Sequence, residues 1–372
     1  VASPRKLLVR QLGRVEYVDG LTLMRLAAEA IRGGHPPDAD HLFVLEHPPV
    51  LTLGRGAGRA NIVASPAWLE KRGWEIHEAD RGGDVTWHGP GQLVAYPVLQ
   101  LGEGMGARGY VEALEEAMIR TCGQLGIAAE RHPEHRGAWI GPRKVGAVGV
   151  HVSRGMTSHG LALNVSVDLD GFQAIVPCGI ADPRLGVTSV ERELSARGLP
   201  VPSLDEVAEH LASHLAATLG RRSEGAPADL TTVSVVPVGA DGRVLLLRRS
   251  AERGGFWQPV TGRIEPGEAP SKAARRELRE ETGADVEVAS LGYRHAFALD
   301  PSVVPPKRPG LRVCDETAFW ARLPPGFVPR LSDEHVAWEW CTAEEASVRP
   351  RYAGLRRAIR LATSCASIPN LS

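Results

Sequence analysis

Apolar residues recur along this chain with two different periods. Between Leu204 and Leu219 they fall at Val207, Leu211, Leu215 and Leu219, a spacing of four that marks one face of a helix. Val111–Leu125 reads as a second helix. Shorter runs at Leu42–Leu45, Val94–Val98, Gly146–Val152 and Leu161–Val167 read as strands, and their alternation with helical stretches predicts an α/β domain. A polar, small-residue stretch, Arg221–Asp229, reads as a linker. Beyond it the β-branched and aliphatic runs Thr231–Val238 and Arg243–Leu247 flank Gly239-Ala240-Asp241-Gly242, a hairpin signal. The tail from Thr363 to Ser372 is small and polar and is expected to be disordered.

A length of 372 residues exceeds one ordinary core and fits two domains. With 43 Lys+Arg against 44 Asp+Glu the net charge is -1, which gives no general field for nucleic acid or an anionic membrane, so neither is expected as a partner. The cysteines Cys122, Cys178, Cys314, Cys341 and Cys365 are scattered, with no CxxC pair, which argues against a disulfide framework or structural zinc. Val1–Lys6 leads into alternating residues rather than an apolar signal core, and no apolar stretch is long enough to span a bilayer. A cytoplasmic location is expected.

Candidate chemistry in the first half centres on Cys178. In Ile175-Val176-Pro177-Cys178-Gly179-Ile180, a proline fixes the incoming backbone and a glycine permits a tight turn, the setting of a presented nucleophile; the competing reading is a small buried hydrophobe. Three other segments accompany it. Arg81-Gly82-Gly83-Asp84-Val85-Thr86-Trp87-His88-Gly89-Pro90-Gly91-Gln92 is a glycine-dense loop that lets backbone approach a ligand. Arg143-Lys144-Val145-Gly146-Ala147-Val148-Gly149 sets one lysine at the head of a small-residue strand, and His159-Gly160-Leu161-Ala162-Leu163-Asn164 is a second such strand. His88 and His159 read either as catalytic or as fixing loops through hydrogen bonds. His132 and His135 have a spacing seen in metal sites, but no further ligands flank them, and they read as surface loop.

Together with His47-Pro48-Pro49-Val50-Leu51-Thr52-Leu53-Gly54-Arg55, these segments resemble the octanoyltransferases of lipoate biosynthesis over about residues 5 to 220. The resemblance implies the mixed-sheet fold of biotin and lipoate ligases. It also implies transfer of an octanoyl group from acyl carrier protein, through a Cys178 thioester, to a lysine of the lipoyl domains of 2-oxoacid dehydrogenases and of glycine cleavage H protein, without a cofactor. Contact of Lys144 with Cys178 comes from the resemblance, as does an acyl pocket lined by Arg81, Gly82, Gly83, Asp84, Val85, Thr86, Trp87, His88, Ala147, Val148, Gly149, Gly160, Leu161 and Ala162. The chemistry is consistent: a thiolate exchanges with a thioester at little cost, and an amine then takes the acyl group as the more stable amide. A lysine serves as the thiolate's electrostatic partner or as the base for the incoming amine.

In the second half, Gly262, Glu268, Arg276, Glu277, Leu278, Glu280, Glu281 and Gly283 match the Nudix box GX5EX7REUXEEXGU, with Ala284 departing at the final aliphatic position. A solvated, salt-bridged helix would not require those glycines and Glu268 at fixed offsets. Positions 277, 280 and 281 lie within an arc of about 100° on a helix, where their carboxylates repel unless a cation sits among them. Oxygen ligands favour Mg²⁺, or Mn²⁺ as substitute. Phe256–Gly262 and Ser332–Trp338 resemble Nudix pyrophosphohydrolases acting on dihydroneopterin and nucleoside triphosphates. That likeness implies metal held by Glu277, Glu281 and Glu334, with Glu280 a candidate base and Arg276 orienting the carboxylates.

The expected architecture is an octanoyltransferase domain over 1–222, a linker over 223–229, a Nudix α/β/α sandwich over 230–363 and a disordered tail over 364–372. The competing reading is an ATP-dependent lipoate or biotin ligase-like enzyme with a Nudix module that senses a ligand without hydrolysing it.

Overall fold

The structure, a computed structural model, describes residues 4–102, 104–176, 182, 184–299, 301 and 310–367. Cys178 lies outside the described residues, as do Pro177, Gly179 and the end of the tail. The described residues form two compact units, one reaching to Tyr17 and running from Met24 to Pro227, the other made of Val18–Leu23 and the chain from Ala228 onward.

In chain order the first elements are β1 (Lys6–Arg14), α1 (Tyr17–Arg32), β2 (Ala39–Glu46), β3 (Val50–Leu53), α2 (Pro66–Lys71), β4 (Glu75–Glu78), β5 (Val85–His88), β6 (Gln92–Val98) and α3 (Ala107–Gln124). They continue as β7 (Ala138–Ile140), β8 (Arg143–Ser153), β9 (Met156–Asn164), β10 (Gly186–Val187), α4 (Val190–Ser195), α5 (Leu204–Thr218) and β11 (Arg222–Gly225). An eight-stranded mixed sheet runs β10-β8-β9-β6-β2-β1-β11, with β7 on β8, and a small sheet runs β4-β3-β5. The expected face of α5 packs as its period requires: Val207, Leu211, Leu215 and Leu219 are buried with Leu114 and Met118 of α3 against Leu7, Leu42 and Leu163 of the sheet. Ser203 and Glu206 close a capping box at its start. β9 begins before the expected strand and ends at Asn164 rather than Val167. The stretch expected as a linker carries β11, because residues 222–225 find open hydrogen-bonding groups along β1 and pair with it in parallel, Lys6 opposite Arg222.

The second unit comprises β12 (Leu230–Val238), β13 (Val244–Arg249), β14 (Trp257–Gln258), β15 (Val260–Arg263), α6 (Pro270–Thr282), β16 (Ala289–Ala298), β17 (Val313–Arg322), β18 (His335–Cys341), α7 (Ala343–Ala346) and α8 (Ala353–Ala366). β12 is central, parallel to β17 and antiparallel to β15 and β13. Strand alternation sends Val233 and Val235 to a core under α6 and Val236 and Val238 to one under α8, so the sheet is a filling between two helices. Ala284 is buried in the α6 core. The expected disordered tail begins too early: α8 continues to Ala366, because its apolar face at Leu355, Ala358, Ile359 and Ala362 is buried. No helix among the described residues is long and apolar enough to cross a membrane.

Candidate functional site

In the first unit a cavity of about 200 Å³ lies where the glycine-rich loop meets β8 and β9. Of the residues expected to line an acyl pocket, Arg81, Gly83, Asp84, Val85, Thr86, His88, Ala147, Val148, Gly149, Gly160, Leu161 and Ala162 line it, together with Lys144. Gly149 and Gly160 stand opposite each other in the β8–β9 register. A Cβ on Gly160 would meet the Ala95 carbonyl oxygen at 2.1 Å, and one on Gly149 would press on Arg81 Cδ at 3.0 Å, so larger residues would displace the cavity walls. Trp87 is a correction. Its ring is buried in the small-sheet core, 5.5 Å from Trp74 and 5.4 Å from Phe172 centroid to centroid, because alternation along β5 turns it away from the face shared by Thr86 and His88. Gly82 also falls outside the lining and instead donates its backbone N–H to the Val150 carbonyl at 2.9 Å.

The polar residues of the sequence motifs hold these walls together. Arg81 is buried, and its guanidinium donates to the Thr52 carbonyl and hydroxyl, both at 2.8 Å, pinning the loop to β3. His88 Nδ1 donates to Gln92 Oε1 at 2.6 Å; Gln92 donates to Asn164 Oδ1 at 2.9 Å; Asn164 donates to the Thr188 carbonyl at 3.0 Å. The N–H of Thr188 reaches the Lys144 carbonyl at 3.0 Å, so one relay runs from the loop through β9 to the lysine strand. His159, with a left-handed φ of 57°, donates from Nε2 to Asp80 at 2.6 Å, which ties the residue before Arg81 to β9.

Sequence reasoning missed Tyr17, Tyr96 and Asp80. Tyr17 and Tyr96 line the cavity, and Tyr96 meets buried His47 at 2.7 Å, while His47 donates from Nδ1 to the Val15 carbonyl at 2.7 Å. No local pattern marks these residues, since their partners lie far away in sequence. Burial pushes His88 down to about 3, helped by the neighbouring His47, and pushes His47 itself to about 4. Burial and Arg10 likewise lower His41 to about 3. All three are therefore neutral in the folded protein. A histidine held below its unfolded value near 6.5 stabilises the fold above that pH and loses the contribution as pH falls toward its folded value. Thermal midpoints measured from pH 7 down to pH 4 are accordingly expected to fall once pH drops below about 6.5.

Lys144 is buried, and its ammonium sits 4.9 Å from the centre of the Trp139 ring. A second cavity, of about 320 Å³, also reaches Lys144 and is lined by Phe172, Leu185, Val187 and Arg192 among others. The chain on either side of the undescribed Cys178 stretch is attached nearby. Val176 donates its N–H to the Asn61 carbonyl at 2.8 Å, while Asn61 Nδ2 donates to Asp84 of the cavity loop at 2.5 Å. After the stretch, Val187 of β10 pairs with Lys144 itself. His132 and His135 stack on each other at 4.8 Å beside Trp139.

In the second unit the box residues gather at α6. Arg276 donates through Nε and Nη2 to both oxygens of Glu268 at 3.0 and 2.9 Å, and through Nη1 to Glu277 at 2.7 Å and Glu280 at 3.2 Å. The box glycines have direct physical causes: a Cβ on Gly262 would lie 1.8 Å from the Glu277 carboxyl carbon, and Gly283 ends α6 with φ of 77°. Glu334 accepts from Arg249 at 3.3 Å and pairs with Arg253 at 2.9 Å. Among the described residues no three His, Cys, Asp or Glu side chains are drawn together to hold a metal ion, so the expected set of Glu277, Glu281 and Glu334 is not a ready cluster; arginines occupy two of its three members. Glu281 still fits a cation. Its Oε2 is buried with no hydrogen-bond partner, and burial followed by the charge of Glu277 raises its carboxyl well above the usual range.

Residues 16–216 match the family model of the lipoyl protein ligase A/B catalytic domain, and residues 229–362 match that of the NUDIX domain. The chain is 48% identical over 366 residues to an octanoyltransferase of Myxococcus xanthus, covering 96% of this chain and 99% of that protein. It is 43% identical over 216 residues to a mitochondrial octanoyltransferase of Arabidopsis thaliana, covering 58% of this chain and 89% of that one. A solved structure of the E. coli dihydroneopterin triphosphate pyrophosphohydrolase is similar over 35% of this chain and 92% of that chain, with a TM-score of 0.32 and 29% identity.

Proposed function

Since this chain belongs to the octanoyltransferase family, with a lipoyl protein ligase A/B catalytic domain followed by a NUDIX domain, we propose that its first unit moves an octanoyl group from acyl carrier protein to a lysine of lipoyl domains and of glycine cleavage H protein, in the cytoplasm and without a cofactor. The thiolate of Cys178 attacks the thioester carbonyl, the carrier's thiol leaves, and the acceptor amine then displaces Cys178 to give the amide. Lys144 favours the thiolate by its positive charge and then accepts the amine's proton. The observation that carries this reading is the cavity walled by glycines, by Val85, Val94, Val148 and Leu161 and by the neutral His88, whose lining includes Lys144 together with Arg81, Asp84, Glu134 and Arg136. Such a cavity accepts a flexible acyl chain along its glycine and apolar surface. Incubating the protein with octanoyl carrier protein, without ATP, should add one octanoyl mass to Cys178; an unmodified Cys178 together with ATP-dependent acylation of the lipoyl domain would instead mark a ligase.

For the second unit we propose hydrolysis of a nucleoside or dihydroneopterin triphosphate between phosphates, with the domain bounded by residues 230 and 363. Glu277, Glu281 and Glu334 would hold Mg²⁺ or Mn²⁺, which when bound neutralises phosphate charge and activates water. Arg276 fixes the directions of Glu268 and Glu277 and also reaches one oxygen of the half-exposed Glu280, whose other oxygen would accept the water's proton. Release of pyrophosphate from a panel of these triphosphates with Mg²⁺ is the test, and no release from any of them counts against hydrolysis.

A further inference from the structure

Strand register places an exposed indole on the catalytic-helix side of the second sheet. In the antiparallel pair of β13 and β18, Leu245 stands opposite Trp340, Leu247 opposite Trp338 and, after a shift in register, Arg249 opposite His335. Residues directly opposite in an antiparallel pair share a face. Leu245 and Leu247 belong to the core under α6, against Ala273, Ala274 and Leu278, and Trp340 packs on that core too. Trp338 therefore faces the same side as the box carboxylates, and at 38% exposed it is more open than the partly buried Trp340.

The rest of that face carries charged and titratable side chains. Arg249, two residues along β13 from Leu247 and so about 7 Å away, joins Arg253 at the Glu334 carboxylate. His335 Nε2 lies 3.9 Å from Glu281 Oε2, and both atoms are buried without hydrogen-bond partners. One line of residues thus passes from an open aromatic surface, across roughly the reach of a sugar, to two arginines and the carboxylates.

We propose that Trp338 is the platform on which the planar heterocycle of the second unit's substrate stacks, so that this unit selects polyphosphates bearing an aromatic base over those without one. The inference rests on the phosphohydrolase reading of that unit and adds a residue to it. Stacking on an indole is sequence-tolerant because every base presents a π-face, so Trp338 selects for a ring more than for a particular ring.

The test uses the full chain with ATP, GTP, CTP, dihydroneopterin triphosphate and inorganic triphosphate as probes. With Trp338→Ala, KM for at least one heterocyclic probe is expected to rise on the order of 10- to 100-fold, with kcat and the KM for inorganic triphosphate little changed, and Trp338→Phe should recover most of the loss. Binding is read separately in EDTA, where a heterocyclic probe should quench the tryptophan fluorescence of the parent protein and quench that of Trp338→Phe less. KM values in Trp338→Ala within twofold of the parent for every heterocyclic probe, or equal losses for inorganic triphosphate, would overturn the assignment. If the parent hydrolyses none of the probes, the hydrolase reading fails by itself; quenching lost in Trp338→Phe would still support the platform, and quenching unchanged in that variant would reject it.

Discussion

A Cys178→Ser protein is expected to take up no octanoyl group and to octanoylate a lipoyl domain at least about 1000-fold more slowly than the parent, the scale of loss when a covalent nucleophile is removed. Intact mass and a gel-shift assay of lipoyl-domain modification read the two quantities. Full retained transfer would remove Cys178 from the mechanism. Lys144→Arg separates the lysine's two roles, because arginine keeps the charge but does not give up a proton at neutral pH. If Lys144 acts as base in the second half-reaction, this variant should still acylate Cys178 and then stall, accumulating the adduct. Unchanged acylation and unchanged transfer in this variant would instead leave the positive charge as the lysine's role.

Glu281→Gln is expected to lower metal-dependent hydrolysis at least about 100-fold, since even outer-shell changes at metal sites cost 10- to 100-fold. The same change should make the metal-free protein more stable. The Glu281 carboxyl is raised in the folded state, so folding favours its protonated form. Above the unfolded value near 4.3 the buried group must ionise or hold its proton against solution, and stability falls as pH climbs from there toward the folded value. Glutamine carries no such charge. In EDTA at pH 7 the variant's thermal midpoint should therefore exceed the parent's, while added Mg²⁺ is expected to raise the parent's midpoint by binding its folded state and to leave the variant's unchanged. A lower midpoint for the variant in EDTA would show that Glu281 is not under electrostatic strain.

What could be read from sequence was what local spacing encodes. The face of α5 and the Nudix box are visible because their members sit at fixed short offsets on one helix. The linking relay was not visible, because Gln92 meets Asn164 across 72 positions and nothing in either motif names the other. Trp87 shows a different limit. Taking every residue from Arg81 to His88 as cavity wall overlooked that residues 85–88 form a strand, whose period of two sends alternate side chains to opposite faces. The tail was shortened for a similar reason: small residues such as Thr363 and Ser364 look unstructured in composition, yet they continue α8 and donate their hydroxyls to the Ile359 and Arg360 carbonyls. Among the carboxylates proposed to hold a metal, Arg276 beside Glu277 was legible in the box, whereas Arg249, which reaches Glu334 across 85 positions, was not.

The parallel pairing of β11 with β1 decides where the two activities can be separated. Cutting before Arg222 would strip the outer rim from the large sheet and leave the backbone of Lys6–Val9 open to pair with another chain, a route to aggregation. Cutting between Gly225 and Ala228 keeps that rim covered, and it is there that a soluble, separately assayable first enzyme should be sought.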